Sequence, residues 1–334
     1  MKENYPIDFV VMWVDGNDTE WQNDFKKYYK DEKGLDASLA RVRDWDNLKY
    51  LFRSIEKFAP WYRKLHFVTY GHLPKWLNTN ASKLHIANHK DFLPAEYFPT
   101  FSSFPTSMNL HKIEGIADHF VVFDDDMFLG KKVDRTRFFK NGTPIDMAQL
   151  TPIPPALPFG HYLLNSVNLM HRRYDFKSAI LKNIFKWFNV KYGISANLKN
   201  LFLLPFANAV SLKNPHVAIP YLKSTYEKVW EAEYDELHAT CTSKFRSYTN
   251  VSGWIMRYEQ LLSGNFVPHS IKDTREDFIL KDQQAEEIAD YITKQKYKLF
   301  CINDSNDIVD FEKTKGIINA ALEKLLPEKS SFEL

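Results

Sequence analysis

Cysteine is nearly absent from this chain: among 334 residues there are two, Cys241 and Cys301, far apart and in no metal-type spacing. That scarcity excludes a disulfide framework and fits a reducing compartment. Charge imbalance is also missing. The 44 Lys+Arg against 42 Asp+Glu leave a net charge of +2, so no field over the whole surface favours nucleic acid, and any partner must be recognised locally. No run approaches the roughly 18 uninterrupted apolar residues of a membrane span. The opening "MKENYPIDFVVMWVDG" passes into a strand pattern without a signal-peptide core. Internal repeats and low-complexity tracts are absent too. These absences together lead us to expect a cytoplasmic globular protein, in which the five N-x-[ST] sequons at Asn17, Asn80, Asn141, Asn250 and Asn303 are chance.

Aromatic residues are plentiful at 15%; they line pockets for rings and sugars as well as filling cores. Short β-branched or aromatic runs recur early: "IDFVVMWV" (7–14), "KLHFVTY" (64–70), "SKLHIAN" (82–88) and "HFVVFD" (119–124). Each closes on or near Gly, Asn or Asp. Between the first two, Leu48, Leu51, Phe52, Ile55 and Phe58 mark one face of a helix that Pro60 ends. Strands alternating with helices predict an α/β fold with a mostly parallel sheet, whose ligands bind beyond the strands' carboxyl ends. The proline-rich "TPIPPALPFG" then reads as a rigid connector. From Arg172 to Phe206, lysines and arginines alternate with apolar residues. That stretch fits equally a basic amphipathic helix on an anionic membrane surface and a helix packed on its own domain. Helical patterns follow at 221–237, 251–262, 273–296 and 308–325, interrupted by the strand-like "KLFCIND" (298–304).

The chemistry concentrates in "HFVVFDDDMFLG". Three carboxylates in a row at the end of a buried strand repel one another and raise each other's pKa unless a cation offsets them. A lone Asp in this position more often caps a turn; three after an apolar run favour a metal site instead. In an extended strand Asp124 and Asp126 share one face and Asp125 takes the other. Asp304, closing the distant strand in "CINDS", is a candidate third ligand for Mg²⁺ or Mn²⁺. Asp15 and Gly16 in "WVDGND" sit where a base and ribose are held in such sheets, or form an ordinary turn. Arg41, Arg43 and Arg53 flank the first long helix and offer bidentate contacts to phosphate, although at least one is expected to be structural. His216 and Arg246, taken singly, read as structural or solvent-facing.

In order along the chain, "DFVVMWVDGNDTEW", "RVRDWDNLKYLFRSIEKFAPWYRKLHFVTYGHLPKWLN", "LPAEYFPTFSS" and "NLHKIEGIADHFVVFDDDMFLGK" resemble the first two conserved regions of the Stealth family. "NPHVAIPYLKSTYEKVW" through "SKFRSYTNVSGWIMRYEQLLSG" resembles the third region, and "FCINDS" with "LPEKSSFE" the fourth. That family includes bacterial capsular polysaccharide phosphotransferases and the animal enzyme that adds N-acetylglucosamine-1-phosphate to lysosomal glycoproteins. The resemblance implies a Rossmann-like nucleotide-sugar transferase core (GT-A-like) with a largely helical insertion. It would transfer a sugar-1-phosphate from a UDP-sugar to a glycan or lipid-linked acceptor hydroxyl and release UMP. It matches Asp15 and Gly16 to the family's WVDG, Arg43 and Asp44 to its RxRD, and Asp125 and Asp126 to its NDD, with Asp124 in place of Asn. His216, Arg246 and Asp304 match its functional histidine, arginine and aspartate. The implied roles are metal binding for Asp125, Asp126 and Asp304, nucleotide contacts for Asp15, Gly16, Arg43 and Asp44, and catalysis for His216, Arg246 and Asp126. One position departs: where the family reads "HAIEANLH" this chain reads "FPTSMNLH", with Ser107 in place of the acid. Serine is a poor proton acceptor, so either His216 or Asp124 has become the base, or the site is rearranged, or the chain is an inactive sugar-phosphate-binding homologue. The expected organisation is a nucleotide-sugar and metal core at 1–150, a connector and helical insertion at 151–270, and C-terminal helices with a returning strand at 271–334. Basic residues of 172–199 are the expected contact with the inner membrane surface or with an anionic acceptor.

Overall fold

The computed structural model describes residues 5–29, 43–154, 159–277 and 280–334; Arg41 and part of the proline-rich connector therefore lie outside the described residues. Four parallel strands, β1 (Ile7–Met12), β2 (Leu65–Thr69), β3 (Leu84–Asn88) and β4 (His119–Asp124), form the central sheet. Ile219–Leu222 adds an antiparallel edge beside β4, so the order runs 219–222, β4, β1, β2, β3. β1 and β2 are buried almost throughout, as a sheet covered on both faces requires. The helix α1 (Thr19–Tyr28) follows β1, and α2 (Leu48–Phe58) leads to β2. Beyond β4 the chain turns into β5 (Met127–Leu129), which pairs antiparallel with Leu299–Ile302. One continuous apolar cluster reaches from Ile7 to Phe332.

The C-terminus belongs to this core. Phe332 is buried against Phe52 of α2. Arg53, on the same helix, is 6% exposed and donates to both oxygens of Glu333 at 2.8 Å and to the Leu326 carbonyl at 2.8 Å. Arg53 is the structural arginine among the three flanking candidates.

A buried ionic knot fixes β1 to its neighbours. Asp8 is fully buried and accepts from Arg63, His66 Nε2 (2.9 Å) and the Ala117 N–H (2.8 Å). Burial acts to raise its pKa, but the Arg63 and His66 contacts outweigh it and hold the group at about 2. The folded value lies below the ordinary 3.8, so the stabilisation is fully present above that value and is lost as pH falls towards about 2. Asp8→Ala strands the partners of a buried ion pair and is expected to cost about 3–5 kcal/mol. Urea unfolding at neutral and acid pH checks both statements: the variant should also lose the acid-dependent part.

Several expected elements differ from those observed. The stretch 172–206 is not one helix but a series: Phe176–Lys182, Ile184–Trp187 and Ile194–Leu203. The breaks have causes in the sequence, since Asn189 caps the 3₁₀ turn Val190–Tyr192 through its side chain and Gly193 takes φ +81°. At the start of the 221–237 pattern, Tyr221 and Leu222 belong to the strand Ile219–Leu222 because β4 offers it a ladder, and the helix starts at Lys223. Thr274–Asp277, expected to be helical, pairs parallel with Leu299–Ile302. In both cases pairing with a distant strand overrides a local period.

Candidate active site

β1 and β4 lie side by side with Met12 opposite Asp124. The "WVDG" loop and the three aspartates therefore leave the sheet together at its carboxyl edge. Asp124 ends β4, and Asp125 and Asp126 form the turn into β5. Two distant segments then close on Asp126. The ladder between β5 and Leu299–Ile302 sets Cys301 opposite Met127, and the Ile302 N–H donates to the Asp126 carbonyl at 2.9 Å. This places the Cys301 thiol 3.2 Å from Asp126 Oδ2. From the other side, His216 leads into the edge strand on β4 and its Nε2 lies 3.2 Å from the same oxygen. One ligand atom from each of Asp126, His216 and Cys301 lies within 4.8 Å of the others. His216 and Asp126 are about a fifth exposed, 22% and 20%, so the cluster is reachable from solvent.

The electrostatics of this turn call for a positive charge. Burial lifts the Asp124 carboxyl to about 6, against the pull of His216. Asp125 is pushed well above the carboxylate range by burial and by its two neighbours. Burial acts upward on Asp126 as well, yet the His216 charge and hydrogen bond hold it below the ordinary value. Burial would lower His216, and the carboxylate of Asp126 instead raises it. Burial and Asp126 keep the Cys301 thiol protonated, as a donor. Asp126 Oδ1 is buried and has no hydrogen-bond partner among the described residues. An orphaned carboxylate oxygen beside an imidazole and a thiol, with two further acids in the turn, is a donor set that fits a divalent cation.

The segment before His216 is pinned by Arg257, wholly buried on the helix Ile255–Leu262. Its guanidinium donates to both oxygens of Asp146 at 2.7 and 2.8 Å, to the Met147 carbonyl at 2.9 Å and to the Lys213 carbonyl at 2.6 Å. All of this satisfies the fork of one arginine without solvent.

Asp304 lies apart from that cluster. Arg43 grips its carboxylate through Nε at 2.8 Å and through Nη2, donates to the Ser305 carbonyl at 3.1 Å and lies 4.2 Å from the Phe311 ring centre. The structure thus joins the "RVRD" and "CINDS" motifs directly. Asp44 accepts from the Asp46 N–H at 2.7 Å, a local turn. At the "WVDG" loop the Asp15 N–H donates to His72 Nε2 at 2.6 Å, and Gln22 donates to the Gly16 carbonyl at 3.0 Å. Burial lowers the His72 pKa, in keeping with a neutral ring that accepts. Arg246 donates to Ser103 Oγ at 2.7 Å and lies over the Phe104 ring. Ser103 and Ser107 share one face of the helix Ser103–Asn109, so Arg246 is bonded to the helix face that also carries Ser107. Ser107 itself packs on Gly253: a Cβ there would lie 2.5 Å from its Oγ.

Sequence reasoning missed Cys301, His72 and Arg257. His72 had a signal, because it lies in the loop just beyond β2 at the carboxyl edge. Cys301 and Arg257 had none, since their partners are distant in the chain.

A mostly parallel α/β sheet that gathers acids and a histidine at its carboxyl edge has the layout of an enzyme's ligand site, and comparison with known proteins gives the family. The model of Stealth protein CR2, conserved region 2, matches residues 41–146. A capsular polysaccharide phosphotransferase WcwK of Streptococcus pneumoniae is 37% identical over 100% of this chain and 99% of its own. The exopolysaccharide phosphotransferase cps2G of Lactiplantibacillus plantarum is 34% identical, covering 98% and 96%. The receptor polysaccharide phosphotransferase WefC of Streptococcus gordonii is 34% identical, covering 98% and 99%. The chain belongs to the Stealth family of phosphotransferases. Among solved structures, the galactosyltransferase LgtC aligns over 94% of this chain and 95% of its own at 11% identity, with a TM-score of 0.36.

Proposed function

We propose that the enzyme moves a sugar-1-phosphate from a UDP-sugar to a hydroxyl of a glycan or lipid-linked oligosaccharide acceptor and releases UMP, in the synthesis of bacterial capsule or cell-surface polysaccharide. The observation that carries this reading is the Asp126, His216 and Cys301 cluster at the carboxyl edge of the sheet. Asp126, with the neighbouring Asp125, would hold Mg²⁺ or Mn²⁺, which when bound neutralises the donor diphosphate. The Cys301 thiol, kept protonated, donates to Asp126 Oδ2 and so orients that carboxylate. The acceptor hydroxyl attacks the sugar-bearing phosphorus in line with the departing UMP oxygen and gives its proton to Asp124, the candidate base left once His216 is charged. His216, charged by its contact with Asp126, holds a phosphoryl oxygen, and Arg246 offsets equatorial charge. Positioning and neutralisation carry most of the barrier in such transfers, so Ser107 in place of an acid is tolerable. Asp15, Gly16, Arg43 and Asp44 lie on the donor side. Asp304 enters as the residue that fixes the Arg43 guanidinium, rather than as a ligand of the cluster. A lipid-carried acceptor would bring the enzyme to the inner face of the membrane.

The deciding experiment supplies the purified protein with Mg²⁺ or Mn²⁺, a panel of UDP-sugars and a glycan acceptor, and identifies the nucleotide released. UMP with sugar and phosphate both on the acceptor supports the reading. UDP would make the reaction a glycosyl transfer, and no nucleotide from any donor would leave a binding homologue. Asp304→Ala frees Arg43 from its charge-assisted clamp; at about 1.5–3 kcal/mol for such a contact, the KM for the donor is expected to rise roughly tenfold to a hundredfold. Steady-state kinetics checks it: an unchanged KM would place Asp304 outside the donor site.

A further inference from the structure

The series of short helices from Phe176 to Ala209 has two apolar faces, and the core uses only one. Phe176, Ile180, Trp187, Tyr192 and Ala207 are buried. On the other side Phe185 is 84% exposed, Val190 93%, Ile194 80%, Phe202 73% and Phe206 62%. Ile194, Leu198 and Phe202 also line, with Pro152, an open groove of about 670 Å³. Singly exposed apolar residues are ordinary, but so many on one subregion are not. The charges carried by this stretch have one sign. From Phe176 to Leu222 the sequence contains no Asp or Glu, while Lys177, Lys182, Lys186, Lys191, Lys199 and Lys213 all fall there. Arg172 and Arg173, at the start of the expected basic stretch, are already paired with Glu236 and Glu259, so the uncompensated charge lies further along the chain.

We infer that this ridge, Leu181 to Phe206, is an interfacial membrane anchor that seats its exposed phenylalanines and aliphatic residues among the acyl chains of an anionic bilayer, with its lysines at the headgroups. Apolar insertion and lysine attraction to anionic lipid reinforce each other in such anchors. Among the described residues no helix is long and apolar enough to cross a membrane, so the contact is peripheral. A second copy of the chain fits the same ridge badly, because a two-fold contact would face lysines with lysines and bring no carboxylate to pair them. The inference does not depend on which nucleotide the reaction releases.

The test is co-sedimentation of the full chain with phosphatidylcholine vesicles with and without phosphatidylglycerol. Binding is expected to need phosphatidylglycerol and to weaken with salt. The double variant Phe185→Ser, Phe202→Ser should bind about tenfold less or weaker still, with an unchanged melting temperature because both side chains are exposed. Lys182→Glu with Lys199→Glu should abolish the preference for anionic lipid. Three results would overturn the inference: no binding to either vesicle, equal binding by the variants, or a solution dimer that the phenylalanine variants dissociate without any vesicle binding.

Discussion

Asp126→Asn is expected to lower turnover roughly a hundredfold to a thousandfold, the scale on which loss of one charge-stabilising group acts at a transferring centre, while the protein stays folded. The substitution keeps the shape of the side chain and removes one of three adjacent carboxylates, so repulsion within the turn falls. It also withdraws the oxygen that His216 and Cys301 share at 3.2 Å each. Calorimetric titration with Mn²⁺ and thermal melting separate the two effects: metal binding should be lost and the melting temperature should stay within a few degrees. A folded variant that keeps near-normal turnover would remove Asp126 from the centre of the reaction.

Arg257→Met should destabilise the protein by about 3–5 kcal/mol, because it leaves the buried Asp146 carboxylate without its partner. Adding Asp146→Leu removes the stranded charge, and the double variant should recover most of that stability in urea unfolding. Its turnover should nonetheless stay below that of the parent. The Lys213 carbonyl, gripped by Arg257 at 2.6 Å, is part of what fixes the approach of the chain to His216. Parental turnover in the stable double variant would mean that His216 is positioned by its edge strand alone.

Much of the sheet was legible because its strands announce themselves locally. "HFVVFD" and "LHFVT" are short apolar runs whose burial on both faces follows from their composition, and α2 could be read from five apolar residues at helical spacing. What misled was any element whose conformation is set by a remote partner. Tyr221–Leu222 and Thr274–Asp277 fall in helix-compatible patterns, and only the free hydrogen-bonding edges of β4 and Leu299–Ile302 make them strand. The basic stretch beyond Arg172 was legible as amphipathic but not as a broken chain of helices, because single Asn and Gly residues decided where it stops.

The sequence alone determined the parallel sheet, the carboxylates gathered at its carboxyl edge and the family, since these rest on local apolar periods and on motifs contiguous in the chain. Only the tertiary structure decided which groups meet. It set Cys301 and His216 on Asp126 and clamped Asp304 with Arg43, although each pair is far apart in sequence. Ladder register and buried ion pairs impose these meetings, and both are properties of the assembled core rather than of any one segment.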